Sequence, residues 1–313
     1  MLHLRTITPT DRTEEVCRIL ADDPGTTNVM VFPDAARRPP GDVVMCDVAR
    51  EAANDVIAAL RDLGLDRDGS IALERIDVSI SAAADAAEER APGHGDDAVV
   101  WEELDRRMAE EARLTWAFVA FLALATQLAG IAALIDSSIL IVGAMVLGPE
   151  FGAVAAVSHG LLRRDGRRIL RALGVLAAGF AIAVAVTFVC ALVARWTGII
   201  GPDGLPDDRP QTGFVYHPDR WSFIVAVLAG AAGVLSLTAG KSSALVGVFI
   251  SVTTVPAAGN IAVAAALSRD GEIRGSAVQL GVNLLGMVLA GTATLAVQKI
   301  GWSLVRRAPR RRT

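Results

Sequence analysis

The stretch SSILIVGAMVLGPEFGAVAAVSHGLLRRDG, residues 137–166, decides the fold that the sequence predicts. It is long and apolar enough to cross a bilayer, which needs about 20 residues. Gly148, Pro149 and Glu150 nevertheless interrupt its middle. Proline removes a hydrogen-bond donor and displaces a helical carbonyl. Because irregular backbone at membrane depth survives only when it is buried in protein or lines a wet cavity, we expect a broken membrane helix with a carboxylate at the break.

The composition changes sharply along the chain. Its 313 residues are 52% hydrophobic, with a mean hydropathy of +0.45, which is too apolar for an ordinary soluble protein. The three cysteines are too few and too scattered for a disulfide framework or a zinc site. We predict four parts: a cytoplasmic domain over 1–81, a linker and charged juxtamembrane helix over 82–113, a membrane domain over 114–300 and a basic cytoplasmic tail over 301–313.

The first part predicts a ferredoxin-like α+β domain with the element order β-α-β-β-α-β. It contains no glycine-rich phosphate loop and no His/Cys cluster, so regulation or assembly is a better expectation than catalysis. The N-terminus lacks the pattern of a secretory signal, which places this domain in the cytoplasm. The predicted strands are Leu2–Thr8, Thr26–Phe32, Asp42–Val48 and Ser70–Ser81, the helices run from Thr10 or Asp11 to about Ala21 and over Glu51–Leu63, and a Pro-rich loop covers Pro33–Gly41.

Six apolar stretches in the second half are long enough to span a membrane. Arginine-rich clusters precede the first stretch, separate the second from the third and follow the sixth, which places both termini in the cytoplasm and the protein in the cell inner membrane. The outside then holds the turn at Asp136, the loop Trp196–Arg220 and the turn Arg269–Arg274. The spans are approximately Leu114–Ile135, Ser138–Leu162, Ala172–Arg195, Ser222–Ala239, Ser243–Leu267 and Ala277–Lys299.

The membrane domain is an internal repeat with an offset of 105 residues, over residues 114–195 and 219–299. At this offset Trp116 aligns with Trp221, the pair 137–138 with the Ser-Ser pair 242–243, and the Arg-Asp-Gly of 164–166 with that of 269–271. Three spans per copy is an odd number, so the second copy enters from the opposite side, as in many secondary transporters. The fifth span carries Pro256 near its middle, so we predict broken second and fifth helices in a 3+3 inverted repeat.

The two breaks predict a substrate- or ion-binding site. Half-helix ends carry free N–H and C=O groups that hold ions or polar groups, and a carboxylate at membrane depth is a functional candidate by default. The half-helix N-termini suit an anion and Glu150 suits a cation or proton, and the sequence leaves both open; two kinks that only shape packing are the structural alternative. The candidate residues are Gly148, Pro149, Glu150, Thr253, Thr254, Pro256, Asn260 and Asn283.

Two hydrophobic segments, IVGAMVLGPEFGAV (141–154) and ALVGVFISVTTVP (244–256), resemble the signature segments of the domain of unknown function 389 family of bacterial hydrophobic membrane proteins. Members often read GAM-x-x-x-P-x-x-G in the first segment, which is matched here by Gly143, Ala144, Met145, Pro149 and Gly152. Glu150 departs from the apolar residue that members usually carry. The resemblance implies the architecture, a small soluble domain before a hydrophobic one, and no activity.

The sequence therefore predicts an integral membrane transporter or channel-like protein, with a regulatory or oligomerising cytoplasmic domain. The alternative is a membrane-anchored sensor whose soluble domain binds a small cytoplasmic ligand. We expect no enzyme activity, since no nucleophile–base pair or metal-ligand spacing occurs, and we expect no cofactor and no metal. The expected partners are the lipid bilayer, a small solute or ion and further copies in a homo-oligomer, and no nucleic acid.

Overall fold

A computed structural model describes residues 1–76, 78–91, 93, 95, 98–201, 204–239 and 253–307. The chain divides into two compact units, and each is described by itself. One consists of Met1–Leu104 with the end of the chain from Ile300, and the other is Asp105–Lys299.

The first unit contains the predicted β-α-β-β-α-β order and a four-stranded antiparallel sheet with the strand order β2-β3-β1-β4. β1 is central and pairs with both β3 and β4, and alternate β1 residues, among them Leu2 and Leu4, face the core. Val16 and Leu20 of the first helix and Val56 and Leu60 of the second pack on this face. The elements are β1 Leu2–Thr8, α1 Thr13–Asp22, β2 Thr26–Arg37, β3 Pro40–Val48, α2 Ala53–Asp62, α3 Leu65–Asp68, β4 Ser70–Arg75 and α4 Ala82–Arg90.

Three boundaries in this unit differ from the sequence prediction. Residues 33–41 are not a loop, because β2 continues through Pro33 to Arg37 and meets β3 at Pro40. β2 is an edge strand, so a proline, which has no N–H to donate, is tolerated in it. The pairing of β2 with β3 is irregular around this proline, between Phe32 and Ala36. β4 ends at Arg75 rather than Ser81. The predicted linker begins with a helix, α4, which the Ser81 side chain caps by accepting from Ala84 N.

The second unit is helical. Four helices are long and apolar enough to cross a membrane, and the pair α7 and α8 forms a fifth candidate that is bent by 56°. These lengths and compositions indicate a membrane protein. The helices, of which the first begins before Asp105 and the last continues past Lys299, are α5 Trp101–Glu111, α6 Trp116–Leu134, α7 Ser138–Leu147, α8 Glu150–Arg163, α9 Gly166–Trp196, α10 Arg220–Ala239, α11 Thr254–Ala266 and α12 Asp270–Arg307.

The helix starts recur along the chain. α10, α11 and α12 begin at residues 220, 254 and 270, each 104 residues after the starts of α6, α8 and α9 at 116, 150 and 166. This spacing agrees to within one residue with the sequence offset. The segment that would correspond to α7, and with it the first part of the predicted fifth span, lies outside the described residues.

α8 and α11 lie in the interior of the second unit. Every residue from Glu150 to Gly160 is buried, and so are nearly all residues of α11. Glycines allow α11 to approach α6 closely: a Cβ on Gly259 would lie 2.7 Å from Ala129 Cβ and 2.8 Å from Gly130 N. Small residues at such contacts are the usual means of close helix packing in membranes. The two short helices are therefore held centrally by the long ones.

Candidate functional site

The break predicted in the second span is present. α7 ends at Leu147 and α8 begins at Glu150, with Gly148 in an extended conformation and Pro149 at the N-cap. Pro149 has no N–H and fits a helix start, where that donor would have no intrahelical partner. The 56° bend follows from this interruption, and it directs the first turn of α8 toward the interior of the unit.

The carboxylate of Glu150 links the starts of α8 and α11. Glu150 is only 6% exposed, and Thr254 Oγ1 donates a 2.5 Å hydrogen bond to Glu150 Oε1. The other oxygen, Oε2, is buried and has no hydrogen-bond partner among the described residues. A Cβ on Gly148 would clash with this oxygen and would lie 2.7 Å from Val255 Cγ2, so a larger residue there would force Glu150 and Val255 to shift. The end of α7 and the starts of two interior helices therefore meet at Glu150.

Three further polar side chains from α12 and the α11 start adjoin this point. Thr253 Oγ1 accepts hydrogen bonds from Gln279 Nε2 at 2.8 Å and from Asn283 Nδ2 at 2.6 Å. All three residues are buried, and Gln279 Oε1 has no partner among the described residues. The sequence singled out Thr253 and Asn283 but not Gln279. We regard Gln279 as an additional site residue.

Pro256 lies in the first turn of α11, which begins at Thr254. This position does not interrupt the helix, because a first-turn proline lacks only a donor that has no intrahelical partner. Whether the fifth span is broken before Thr253 falls outside the described residues. The structure thus places Pro256 beside the Thr254–Glu150 contact rather than in the middle of a helix.

Asn260 belongs to a separate cluster. It lies six residues beyond Thr254, about 9 Å along the helix, and it contacts Arg209 rather than the break. Arg209 Nη1 donates to Asn260 Oδ1 at 2.8 Å, and Asn260 Nδ2 donates to Ser276 Oγ at 2.9 Å. Arg209 also pairs with Glu272 and lies 4.3 Å above the ring of Tyr216. Seven of the eight candidate residues therefore gather near the Glu150 contact, and Asn260 does not.

The three segments that the sequence predicts outside the membrane contact one another. Asp136 accepts hydrogen bonds from the backbone N and Oγ1 of Thr212, each at 2.8 Å, and so joins the first turn to the long loop. The long loop reaches the last turn through the Arg209–Glu272 pair and through a 3.1 Å contact between Arg269 and Asp207. These contacts gather the three segments in one region of the unit.

The juxtamembrane helix α5 contacts α8 instead. Asp105 accepts hydrogen bonds from Arg163 at 2.6 Å and Arg168 at 2.5 Å, and it lies 3.1 Å from His159 Nε2. At the C-terminal end of α5, the Glu111 carboxylate lies so close to α8 that a Cβ on Gly152 would clash with it. The charged juxtamembrane helix therefore contributes two carboxylates that touch the broken span.

A cavity of about 430 Å³ opens beside this contact and reaches Pro149. Its lining includes charged residues of α5 (Arg107, Glu110 and Glu111), aromatic residues of α6 (Phe118 and Phe121) and Pro149 at the break. Burial raises the pKa of Glu111, and Arg107 partly offsets this effect. The break is thus accessible from the end of the unit where α5 lies.

Comparison with known families gives one match. Residues 145–289 match the family model described as Domain of unknown function (DUF389). The chain carries a DUF389 domain. The match confirms the resemblance that the two signature segments indicate. No curated protein and no solved structure shows a significant match to this chain.

The DUF389 domain contains all eight candidate residues and both interior helices. Two contacting carboxylates, Asp105 and Glu111, precede it in the chain. Within the described part of the chain, no group of three or more His, Cys, Asp or Glu side chains could hold a metal ion. The polar groups of the DUF389 domain that converge on the break are instead hydroxyls, amides and one carboxylate.

The sequence did not indicate the contacts that Gln279, Arg209 and Glu111 make with residues of the DUF389 domain. Gln279 falls four residues before Asn283, so the two share a helix face; this spacing was the signal that could have found it. Arg209 is 3% exposed although it stands among aspartates in a predicted outer loop. Its partners Asn260 and Glu272 are 51 and 63 residues away, and no local pattern indicates such a pairing.

Proposed function

We propose that this protein is an integral membrane transporter or channel-like protein that moves a small solute or ion past the contact between Glu150 and Thr254. The cytoplasmic domain then regulates it or assembles it into oligomers. The observation that carries the proposal is a buried carboxylate with one oxygen bonded to the start of a second interior helix and one oxygen without a partner among the described residues.

A buried, charged carboxylate is costly at membrane depth unless it is paired, protonated or hydrated. No arginine, lysine or histidine among the described residues bonds to Glu150. The neighbouring groups offer oxygens: the hydroxyls of Thr253 and Thr254 and the amide oxygen of Gln279. Oxygen ligands and a carboxylate suit a proton or a hard cation rather than an anion. A bound cation or proton would neutralise Glu150, and its exchange would constitute transport.

The recurring helix starts support an inverted-repeat architecture for this transporter. With three spans in each copy, the second copy enters the membrane from the opposite side, and corresponding half-helices meet at the centre. The contact between Glu150 and Thr254 joins the first residues of the two corresponding helices, α8 and α11. The mutual contacts of the three predicted outer segments, together with the position of α5 against α8, agree with this topology.

Flux measurements in proteoliposomes test the proposal. Full-length protein would be reconstituted with an entrapped pH-sensitive dye, and a potassium gradient with valinomycin would drive proton movement; radioactive sodium uptake would be measured in parallel. We expect flux of at least one of the two cations in the wild type and a loss of roughly tenfold or more in Glu150→Gln, since a single general acid or base group contributes at least that much to proton transfer.

The matched control is Asp208→Asn, which removes an exposed carboxylate of the loop between α9 and α10. We expect its flux to equal that of the wild type. Equal flux in Glu150→Gln and wild type, or no movement of either cation in any protein, would contradict the proposal.

A further inference from the structure

The arginines near the start of the membrane domain fall into two groups. Arg163 and Arg168 both bond to Asp105, and Arg168 also lies 3.7 Å from Asp165, so both have acidic partners within the protein. Arg106, Arg113 and Arg171 are exposed, and within the described ranges none of them has an acidic partner. The second group is therefore available to an external anion.

The three available arginines converge on one groove. Its volume is about 750 Å³, and it is lined by residues of α5, the α5–α6 connection and the first turns of α9: Arg106, Ala109, Glu110, Ala112, Arg113, Leu114, Arg171 and Val175. Glu110 contributes the one carboxylate of this lining, so three positive charges face one negative charge. The groove therefore has a net positive charge and attracts anions.

The groove also has an apolar side. Leu114 and Val175 line it, and Leu114, Leu170 and Leu173 are large exposed apolar side chains nearby. Trp116, the first residue of α6, is 85% exposed. Exposed tryptophans of membrane proteins concentrate at the level of the lipid headgroups. The guanidinium groups therefore lie where the polar surface changes to the apolar surface of α6 and α9.

We propose that this groove binds an anionic phospholipid, with its phosphate among Arg106, Arg113 and Arg171 and its acyl chains along Leu114 and Val175. Guanidinium groups bind phosphate oxygens through paired, charge-assisted hydrogen bonds. Basic pockets between membrane helices are known to hold acidic headgroups. A soluble anion would use the arginines but would leave the apolar side of the groove uncovered. The inference does not depend on the proposed transport.

Native mass spectrometry of the detergent-solubilised full-length protein tests this assignment. Phosphatidylglycerol, phosphatidylcholine with the same acyl chains and inorganic phosphate would each be titrated. We expect tighter binding of phosphatidylglycerol than of either alternative. The double variant Arg113→Gln/Arg171→Gln should bind phosphatidylglycerol roughly thirtyfold more weakly, because each arginine near a membrane surface contributes about a factor of five to attraction of anionic lipid.

The matched control is Arg164→Gln/Arg167→Gln, which removes one exposed arginine after α8 and one in the first turn of α9, neither of which lines the groove. It should bind phosphatidylglycerol as the wild type does. A charge-retaining variant, Arg113→Lys/Arg171→Lys, keeps the test valid where the glutamine variant fails to fold, and it should retain most of the affinity. Equal weakening in control and groove variants, equal binding of phosphatidylcholine, or displacement of the lipid by equimolar inorganic phosphate would overturn the proposal.

Discussion

Glu111 is an exposed residue as a whole, but its carboxyl group packs against the backbone of Gly152. Burial of this group raises its pKa, the negative charge of Glu110 raises it further, and Arg107 lowers it in part. The charged form is therefore less favourable in the folded protein than in the unfolded chain. A carboxyl group next to the break thus makes folding stability depend on pH.

The pH dependence has a defined sign. Because the pKa of Glu111 is raised on folding from its ordinary value of 4.5, its contribution to stability is fully present below that value and is lost as the pH rises through the folded-state pKa. We expect Glu111→Gln to raise the Tm at pH 8 and to leave it nearly unchanged at pH 4. Thermal unfolding of the full chain in detergent measures this difference.

The control for this measurement is Glu89→Gln, an exposed glutamate of α4. Its Tm difference from the wild type should be the same at both pH values. A Glu111→Gln difference that is equally constant would show that the carboxyl group is not buried against Gly152.

At the scale of helices, the packing of α11 against α6 depends on the close contact between their backbones at Gly259. A Cβ on Gly259 would lie 2.7 Å from the carbonyl oxygen of Thr126, and real side chains do not tolerate such a distance. Alanine at this position would push the helices apart. Since α11 presents Thr254 to Glu150, this displacement would also disturb the candidate site.

Gly259→Ala should therefore destabilise the protein by about 1–3 kcal/mol, as overpacking in a filled core does. Gly281→Ala is the matched control, because a Cβ there meets nothing within 4 Å in the described structure. Alanine in a helix is favourable relative to glycine by up to about 1 kcal/mol, so this variant should be neutral or stabilised. Unfolding in detergent with increasing sodium dodecyl sulfate compares the two, and equal effects would contradict the packing argument.

Several elements could be predicted from local sequence alone. β1 has the predicted bounds, because alternation from Leu2 to Thr8 is a local signal, and Gly64 follows the end of α2 in the left-handed conformation. The α7–α8 break follows from Gly148-Pro149. The continuation of β2 through Pro33 could not be predicted in this way, because a proline is acceptable in a strand only at an edge and the sheet order is a long-range property.

At the scale of the whole molecule, the proposed topology places the α9–α10 loop and the α8–α9 turn on opposite sides of the membrane. A cysteine-free background, with Cys17, Cys46 and Cys190 replaced, allows single reporter cysteines at exposed positions. Asp208→Cys should react with a membrane-impermeant maleimide in intact cells, and Arg167→Cys should react only after permeabilisation. Labelling of both positions from the same side would exclude the inverted arrangement.

The candidate site could be predicted only in part, for a physical reason. Glu150, Thr254 and Asn283 carry recognisable signals, namely a charge, a repeat position and a polar group in an apolar helix. The assignment of Asn260 to the break differs from the structure, in which Arg209 and Glu272 engage it. Those partners come from distant segments, and a sequence pattern reports periodicity rather than which loop covers which helix end.

The contacts of Arg209 with Asn260 and Glu272 restrict how the long loop can move. The guanidinium group of Arg209 is buried and bound to Asn260 and Glu272. Moving the α9–α10 loop away from the helices would break these contacts, and separating a buried ion pair is costly. That end of the helix bundle should consequently behave as a single rigid block. For the proposed transport, we expect the movements that admit or release a solute to occur at the other end of the unit, where Arg163 is 43% exposed in its ion pair with Asp105 and exposed ion pairs contribute little to stability.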